Sequence, residues 1–232
     1  MQPLKQSYAI KTFDVGPMQN LIYLITDLET RETAIIDPAW DISSVYDYIE
    51  NNQLILNKIL LTHSHDDHIN SIDQILSTYD IEIFLNHKEK SFWGKEYDNF
   101  VINHGGDIIK LGSTTIKSIH TPGHTPGSTC YYVGDKLIAG DTLFVFGCGR
   151  CDMHGGNPEE MFKTLKNLKS SLDNNTIILP GHDYSVKRES TIEEQITGNP
   201  FMHFQDLNKF VEYRMSVHDK TRVSPYDAIY KI

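Results

Sequence analysis

The chain has 232 residues, 39% of them hydrophobic and 22% charged, and its 21 Lys+Arg against 31 Asp+Glu give a formal net charge of -10. A chain of this size buries roughly 70% of the surface its unfolded form exposes, so one larger α/β-sized domain with a full core is expected, and disorder, collagen-like repeats and a disulfide-stapled miniature are excluded. The acidic balance without a Lys/Arg cluster speaks against nucleic acid, and the longest strongly apolar stretch, 54–61, falls far short of the about 20 residues that span a bilayer.

The N-terminus, Met1-Gln2-Pro3-Leu4-Lys5, has no apolar signal region, so a cytoplasmic location is expected, and three cysteines, an odd number, fit a reducing compartment. Runs at 8–13, 21–25 and 33–36 alternate like strands and stop at turn chemistry, Gly16-Pro17 after the first and Asp37-Pro38 after the third. Three short antiparallel strands are predicted. A helix over about 42–51 follows, then a buried strand at 59–61 that delivers the chain to Thr62. Helix and strand alternate from there to a strand at 115–119, and strands at 130–133 and 136–139 meet across Gly134-Asp135, a hairpin signal.

A helix starts at Asn157-Pro158-Glu159-Glu160, with Asn as N-cap, Pro in the first position and acids at the positive dipole end. Met161, Phe162, Leu165 and Leu168 at helical spacing make it a core-packing helix. A strand at 176–179 follows, and the tail after Tyr184 reads as helical and polar, with a break at Gly198-Asn199-Pro200. Periodicity alone supports an α/β protein with a mixed sheet and its chemistry at the strand ends.

The segment Thr62-His63-Ser64-His65-Asp66-Asp67-His68 concentrates imidazoles and carboxylates directly after an apolar strand. Such groups cannot form a core patch, because buried ionisable side chains without partners cost several kcal/mol each. The composition calls for a cation. His and Asp bind borderline metals such as zinc at about 2.0–2.2 Å, whereas a structural zinc site would lean on cysteine. His63 and His65 point together in an extended segment, while Asp67 and His68 fall at the following turn, so one loop can serve two metals. Asp66, not expected to be a ligand, is read as orienting the loop or accepting an imidazole N–H. Further on, His124 in T-P-G-H-T-P-G-S, Asp141 in G-D-T and His182 in P-G-H-D-Y each sit just past an apolar strand beside Gly.

Taken together, T-H-S-H-D-D-H, H-T-P-G-H-T-P-G-S, G-D-T-L-F and P-G-H-D-Y resemble the metallo-β-lactamase superfamily and, within it, the glyoxalase II (hydroxyacylglutathione hydrolase) group. The resemblance implies an αββα sandwich of two mixed sheets flanked by helices, with a catalytic domain at 1–184 and a short helical C-terminal extension at 185–232 packed on it. It also implies one metal on His63, His65 and His124, a second on Asp67, His68 and His182, and Asp141 bridging. Two zinc ions are the expected cofactors, with iron or manganese as substitutes, and Asp67 and Asp141 the expected catalytic carboxylates. Arg150, in G-C-G-R, and Tyr184 match glutathione-contacting positions of glyoxalase II, but Asp152 stands where a glutathione-contacting Tyr would fall, and an acid there would repel glutathione carboxylates. The tail keeps Asn199-Pro200-Phe201-Met202 yet lacks a clear counterpart of the long basic C-terminal helix. The segments at 147–151, 159–162 and 210–214 also resemble zinc-dependent hydrolases of bacterial polyketide clusters.

Cations sharing a carboxylate lower the pKa of a bridging water from 15.7 toward about 7, so the expected reaction is hydroxide attack on a carbonyl. A thiolate, with a pKa near 8.5, leaves without a general acid, and the expected substrate is a small-molecule or carrier-bound acyl thioester, with glutathione, coenzyme A or an acyl carrier protein as carrier. The alternative is a persulfide dioxygenase of the same superfamily, which resembles this chain through G-C-G-R and would use one iron on His63, His124 and Asp141. Cys148 and Cys151 have C-x-x-C spacing, but the strong helix start lies further on at Asn157, so two reduced loop cysteines are expected there.

Overall fold

The computed structural model describes residues 7–230. One sheet takes β1 (Tyr8–Val15), β2 (Asn20–Asp27), β3 (Glu32–Ile36), β4 (Ile55–Leu60), β5 (Glu82–Asn86) and β6 (Phe100–Asn103) in chain order. Its first three strands are antiparallel, as expected, and β3 to β6 run parallel. The other sheet holds β7 (Ile108–Leu111), β8 (Thr114–His120), β9 (Thr129–Val133), β10 (Lys136–Gly140), β11 (Ile177–Pro180) and β12 (Ser190–Thr191), in the order 12-11-10-9-8-7. Only β10 and β11 pair parallel in it.

β2 explains the layering. All eight of its residues are buried, because Leu21, Tyr23 and Ile25 face the second sheet and meet Ile116, Tyr131 and Ile138, while Ile22 and Leu24 face outward against Val45 and Ile49 of α1 (Ser43–Asn51). α2 (Asp66–Ile69), α3 (Ile72–Leu76) and α4 (His87–Trp93) follow on the side of the first sheet. The second sheet is covered by α5 (Pro158–Ser171), whose Met161, Leu165 and Leu168 pack on Cys130, Leu137 and Ile178. Helix, sheet, sheet, helix is the αββα sandwich, and no helix among the described residues is long and apolar enough to cross a membrane.

Two departures from the sequence pattern have physical reasons. β4 begins at Ile55, four residues before the predicted strand, because Asn57 and Lys58, which look like interruptions, reach partners on neighbouring strands: Asn57 Nδ2 donates to Glu32 at 3.0 Å and Lys58 to Glu82 at 3.1 Å. The tail is helical in α6 (Ile192–Gly198), α7 (Leu207–Glu212) and α8 (His218–Thr221), but it is less polar than expected. Phe201 and Phe210 are buried against α5, with the Phe162 and Phe210 rings 5.3 Å apart, and the turn at Pro200–Met202 breaks the helical spacing that would have announced an apolar face.

Candidate metal centre

Every predicted ligand sits just beyond a strand's end. His63 and His65 follow β4, Asp67 and His68 form the first turn of α2, His124 follows β8, Asp141 follows β10 directly, and His182 follows β11. β4 belongs to one sheet and the other three strands to its partner, so the cluster stands on the seam of the sandwich.

His63, His65 and His124 bring their candidate ligand atoms within 4.8 Å of one another, and so do Asp67, His68 and His182. Asp141 lies between the two groups: its Oδ1 is 3.4 Å from Nε2 of both His68 and His182, and its Oδ2 is 3.6 Å from Nε2 of His124. Asp37, His63 and His68 form a third grouping on the same span.

The imidazoles are aimed by their outer nitrogens. Nδ1 of His124 faces the Arg150 carbonyl at 2.7 Å, Nδ1 of His182 the Met18 carbonyl at 2.8 Å, and Nδ1 of His68 an Asp37 oxygen at 3.1 Å. Nδ1 of His63 faces Thr62 Oγ1 at 3.0 Å, and that hydroxyl in turn donates to Asp37 at 2.5 Å. An acceptor on Nδ1 places the proton there and leaves the Nε2 lone pair directed inward. His65 is turned the other way, its Nδ1 lying 2.9 Å from Nε2 of His124.

The inner atoms fit a cation. Nε2 of His63 and Oδ1 of Asp141 are buried without a hydrogen-bond partner, and Nε2 of His68 and His182 face each other at 3.2 Å. Converging lone pairs of this kind are costly unless a positive charge sits among them, and five imidazoles with two carboxylates form a borderline-metal donor set. Burial holds the His63 and His65 imidazoles below their ordinary range and the His124 ring at about 4, so these three are neutral at pH 7. Burial acts on His68 in the same sense, but the Asp141 and Asp37 carboxylates outweigh it and raise that ring to about 9. Asp141 itself, against its burial, is held well below the carboxylate range by His182 and His68.

Residues that sequence reasoning missed support the cluster from behind. Asp37 was read only as a strand stop, yet its carboxylate also accepts the Thr62 N–H at 2.7 Å and so orients the His68 and His63 rings together. The orienting role expected of Asp66 therefore belongs to Asp37; Asp66 is exposed on the first turn of α2, where its side chain points to solvent. Asn20 donates to the Asp67 carboxylate at 3.0 Å and is itself held by the Trp40 indole at 2.9 Å. Glu89, fully buried on α4, receives hydrogen bonds from both the His65 loop and the His124 loop. The one available signal was at Asp37, a carboxylate directly after the apolar run Ala34-Ile35-Ile36.

The two expected substrate residues are brought to the rim. Tyr184 stacks on His182 with centroids 4.6 Å apart and planes 8° from parallel, and its edge meets Phe144. Arg150 is joined to the cluster through its backbone carbonyl, while its guanidinium turns outward and grips Asp152 at 3.0 and 2.7 Å. Gly149 has to be glycine for this loop to close, since a Cβ there would lie 2.0 Å from the Asp141 carbonyl and 2.9 Å from Nδ1 of His124. Cys148 and Cys151 are unpaired and buried, and burial pushes the Cys148 thiol up to about 12 against the pull of Arg214, which leaves it inert as a nucleophile.

The chain is 32% identical over 213 residues to a probable polyketide biosynthesis zinc-dependent hydrolase, BaeB, of Bacillus velezensis, covering 92% of this chain and 94% of that one. It is 34% identical over 173 residues to a hydroxyacylglutathione hydrolase of Shewanella loihica, covering 72% of this chain and 62% of that one. Among solved structures, ETHE1 from Myxococcus xanthus superposes with a TM-score of 0.82 at 25% identity, over 90% of this chain and 91% of the other. The family model of the metallo-beta-lactamase superfamily matches residues 15–182, the span that contains all seven clustered side chains, and the chain belongs to that superfamily.

Proposed function

We propose that the protein is a metal-dependent thioester hydrolase in which His63, His65 and His124 hold one divalent cation, Asp67, His68 and His182 a second, and Asp141 serves both. The observation that carries this reading is the inward turn of the ring nitrogens, four of them fixed from behind by acceptors on Nδ1. Cations held here supply a water of lowered pKa and a Lewis acid for the acyl carbonyl. The chain's own residues orient and exclude. Asp141 stays ionised between the two groups, and Asn20 fixes the rotamer of Asp67. Burial, with the Asp141 and Asp67 charges, keeps the Tyr184 phenol protonated, so it can donate to a substrate oxygen at the rim. A thiolate leaves without a general acid, which suits a centre whose imidazoles and carboxylates are committed to cations.

The donor set supports two cations over one: His63, His65 and His124 converge as one group and Asp67, His68 and His182 as another, with Asp141 between them. The name of the Bacillus velezensis relative supports zinc, and its polyketide assignment supports an acyl group on a carrier such as an acyl carrier protein. The free, buried cysteines support a cytoplasmic location.

The test sets elemental analysis of protein purified without added metal beside a substrate panel. Close to two zinc ions per chain is expected, with turnover of at least one of S-D-lactoylglutathione, an acyl-coenzyme A and an acyl-carrier thioester. Asp141→Ala should reduce that turnover by at least about 100-fold. A wild type inert toward every thioester overturns the reading. One iron per chain, with oxygen uptake on glutathione persulfide, would establish the persulfide dioxygenase instead.

A further inference from the structure

We infer that Glu89 is the positioning residue that fixes the His65 loop and the His124 loop at one separation, so that these two ligands, from different sheets, meet on a single cation. The inference rests on the metal reading above and adds to it a residue outside the ligand set.

The geometry is that of a strut. The Glu89 side chain is 0% exposed, and each of its oxygens spans to a different loop. Oε1 accepts from the Ser64 N–H at 2.8 Å and the Ser64 hydroxyl at 2.7 Å, one residue before His65. Oε2 accepts from the Thr125 hydroxyl at 2.7 Å, one residue after His124, and from the Gly127 N–H at 2.9 Å. Four donors satisfy the carboxylate without a cationic side chain, which is the condition under which a buried charge is tolerated and rigid. The base of the strut is equally fixed. Asn86 caps α4 by accepting from Lys88 N at 3.0 Å, and Gly127 lies so close to α4 that a Cβ would come 2.1 Å from the Glu89 nitrogen. Nδ1 of His65 and Nε2 of His124 stand 2.9 Å apart at the other end of these loops. Moving either loop by a fraction of an ångström moves one of that pair away from the shared point.

Glu89→Gln tests the inference. The amide keeps size and hydrogen-bond capacity toward Ser64, but its NH2 meets the Gly127 N–H donor to donor. Zinc affinity read by competition with a chromophoric chelator should fall about 10–100-fold for one equivalent while the second is retained, the range typical of residues that orient ligands. The visible absorption of the cobalt-substituted protein should change with it. Glu89→Asp keeps the charge but withdraws the carboxylate by one methylene, and should show the same selective loss. Thr125→Val removes a single donor and guards against a variant that does not fold; it should shift the same equivalent by a few-fold. Wild-type affinity and an unchanged cobalt spectrum in the folded variants would overturn the inference, whatever their melting temperatures. A wild type that binds no metal would instead overturn the metal reading, so the two failures are distinguishable.

Discussion

Two imidazoles on different elements, His63 and His68, take their orientation from one carboxylate. Asp37 reaches His68 directly and His63 through the Thr62 hydroxyl, and it holds the Thr62 amide as well. At the rim a second carboxylate acts on a cation instead. Asp152 takes the Nε and Nη2 donors of Arg150, and Arg150 in turn holds the Asp152 carboxyl at about 2, so the pair is ionised and neutral overall across the working pH range. A thiol carrying carboxylates competes with this tethered acid for Arg150. The exposed pair is worth up to about 1 kcal/mol, or roughly fivefold in binding. Asp152→Asn should therefore lower KM for S-D-lactoylglutathione by a few-fold and leave an uncharged N-acetylcysteamine thioester unchanged; steady-state kinetics on both substrates decides, and an equal shift in the two would count against the idea. The seven clustered residues were legible because four crowd into the run T-H-S-H-D-D-H and three, His124, Asp141 and His182, each follow a glycine just past a strand. Asp37 and Glu89 were not, because each is 25 residues from its principal partner, Thr62 and Ser64 respectively, and in sequence looks like a strand stop and a first-turn acid.

At the scale of elements, the tail grips the loop that carries Arg150. Gln195 of α6 accepts the Phe146 N–H at 3.2 Å, Asn199 donates to the Gly147 carbonyl at 3.0 Å, and Arg222 donates to the Phe146 carbonyl at 2.9 Å. Phe146 sits at a φ of 58°, a left-handed conformation that a bulky residue holds only when its surroundings impose it. Asn199 also accepts from the Phe201 N–H at 3.0 Å, capping the turn that seats Phe201 against α5. The N-P-F run was visible in the sequence, but its partner lies 52 residues away and the turn breaks helical periodicity, so neither the buried aromatic face nor the loop contact could be read from spacing. Asn199→Ala removes the loop contact and the cap together. It should raise KM for the thioester several-fold and lower the melting temperature by about 4–8 °C for a cap and a buried hydrogen bond worth about 1 kcal/mol each, with metal content unchanged. Paired kinetics and elemental analysis check this, and loss of metal would show that the tail supports the ligands rather than the rim.

For the whole molecule the decisive feature is where the cluster stands. One group of candidate ligands comes from the loop after β4 and the others from loops after β8, β10 and β11, so ions bound there would join the two sheets at the seam. The hydrophobic interior between the sheets already holds them face to face; strand patterns alone indicated a mixed α/β sheet, and the sandwich followed from the motifs through the family they resemble. The seam is different, because ligand-type atoms converge there, and without cations buried atoms such as Nε2 of His63 and Oδ1 of Asp141 are left without a hydrogen-bond partner among the described residues. Metal removal should therefore act on stability as well as on turnover. A ligand at 1,000 times its Kd stabilises the native state by about 4 kcal/mol, which for a chain of 150–250 residues corresponds to roughly 8–16 °C in melting temperature. Chelation followed by desalting should lower the melting point by about that amount, and stoichiometric zinc should restore it in proportion to occupancy. Calorimetry on the stripped and reloaded protein checks the prediction, and an unchanged melting point after verified metal loss would mean that the apolar interface alone closes the seam.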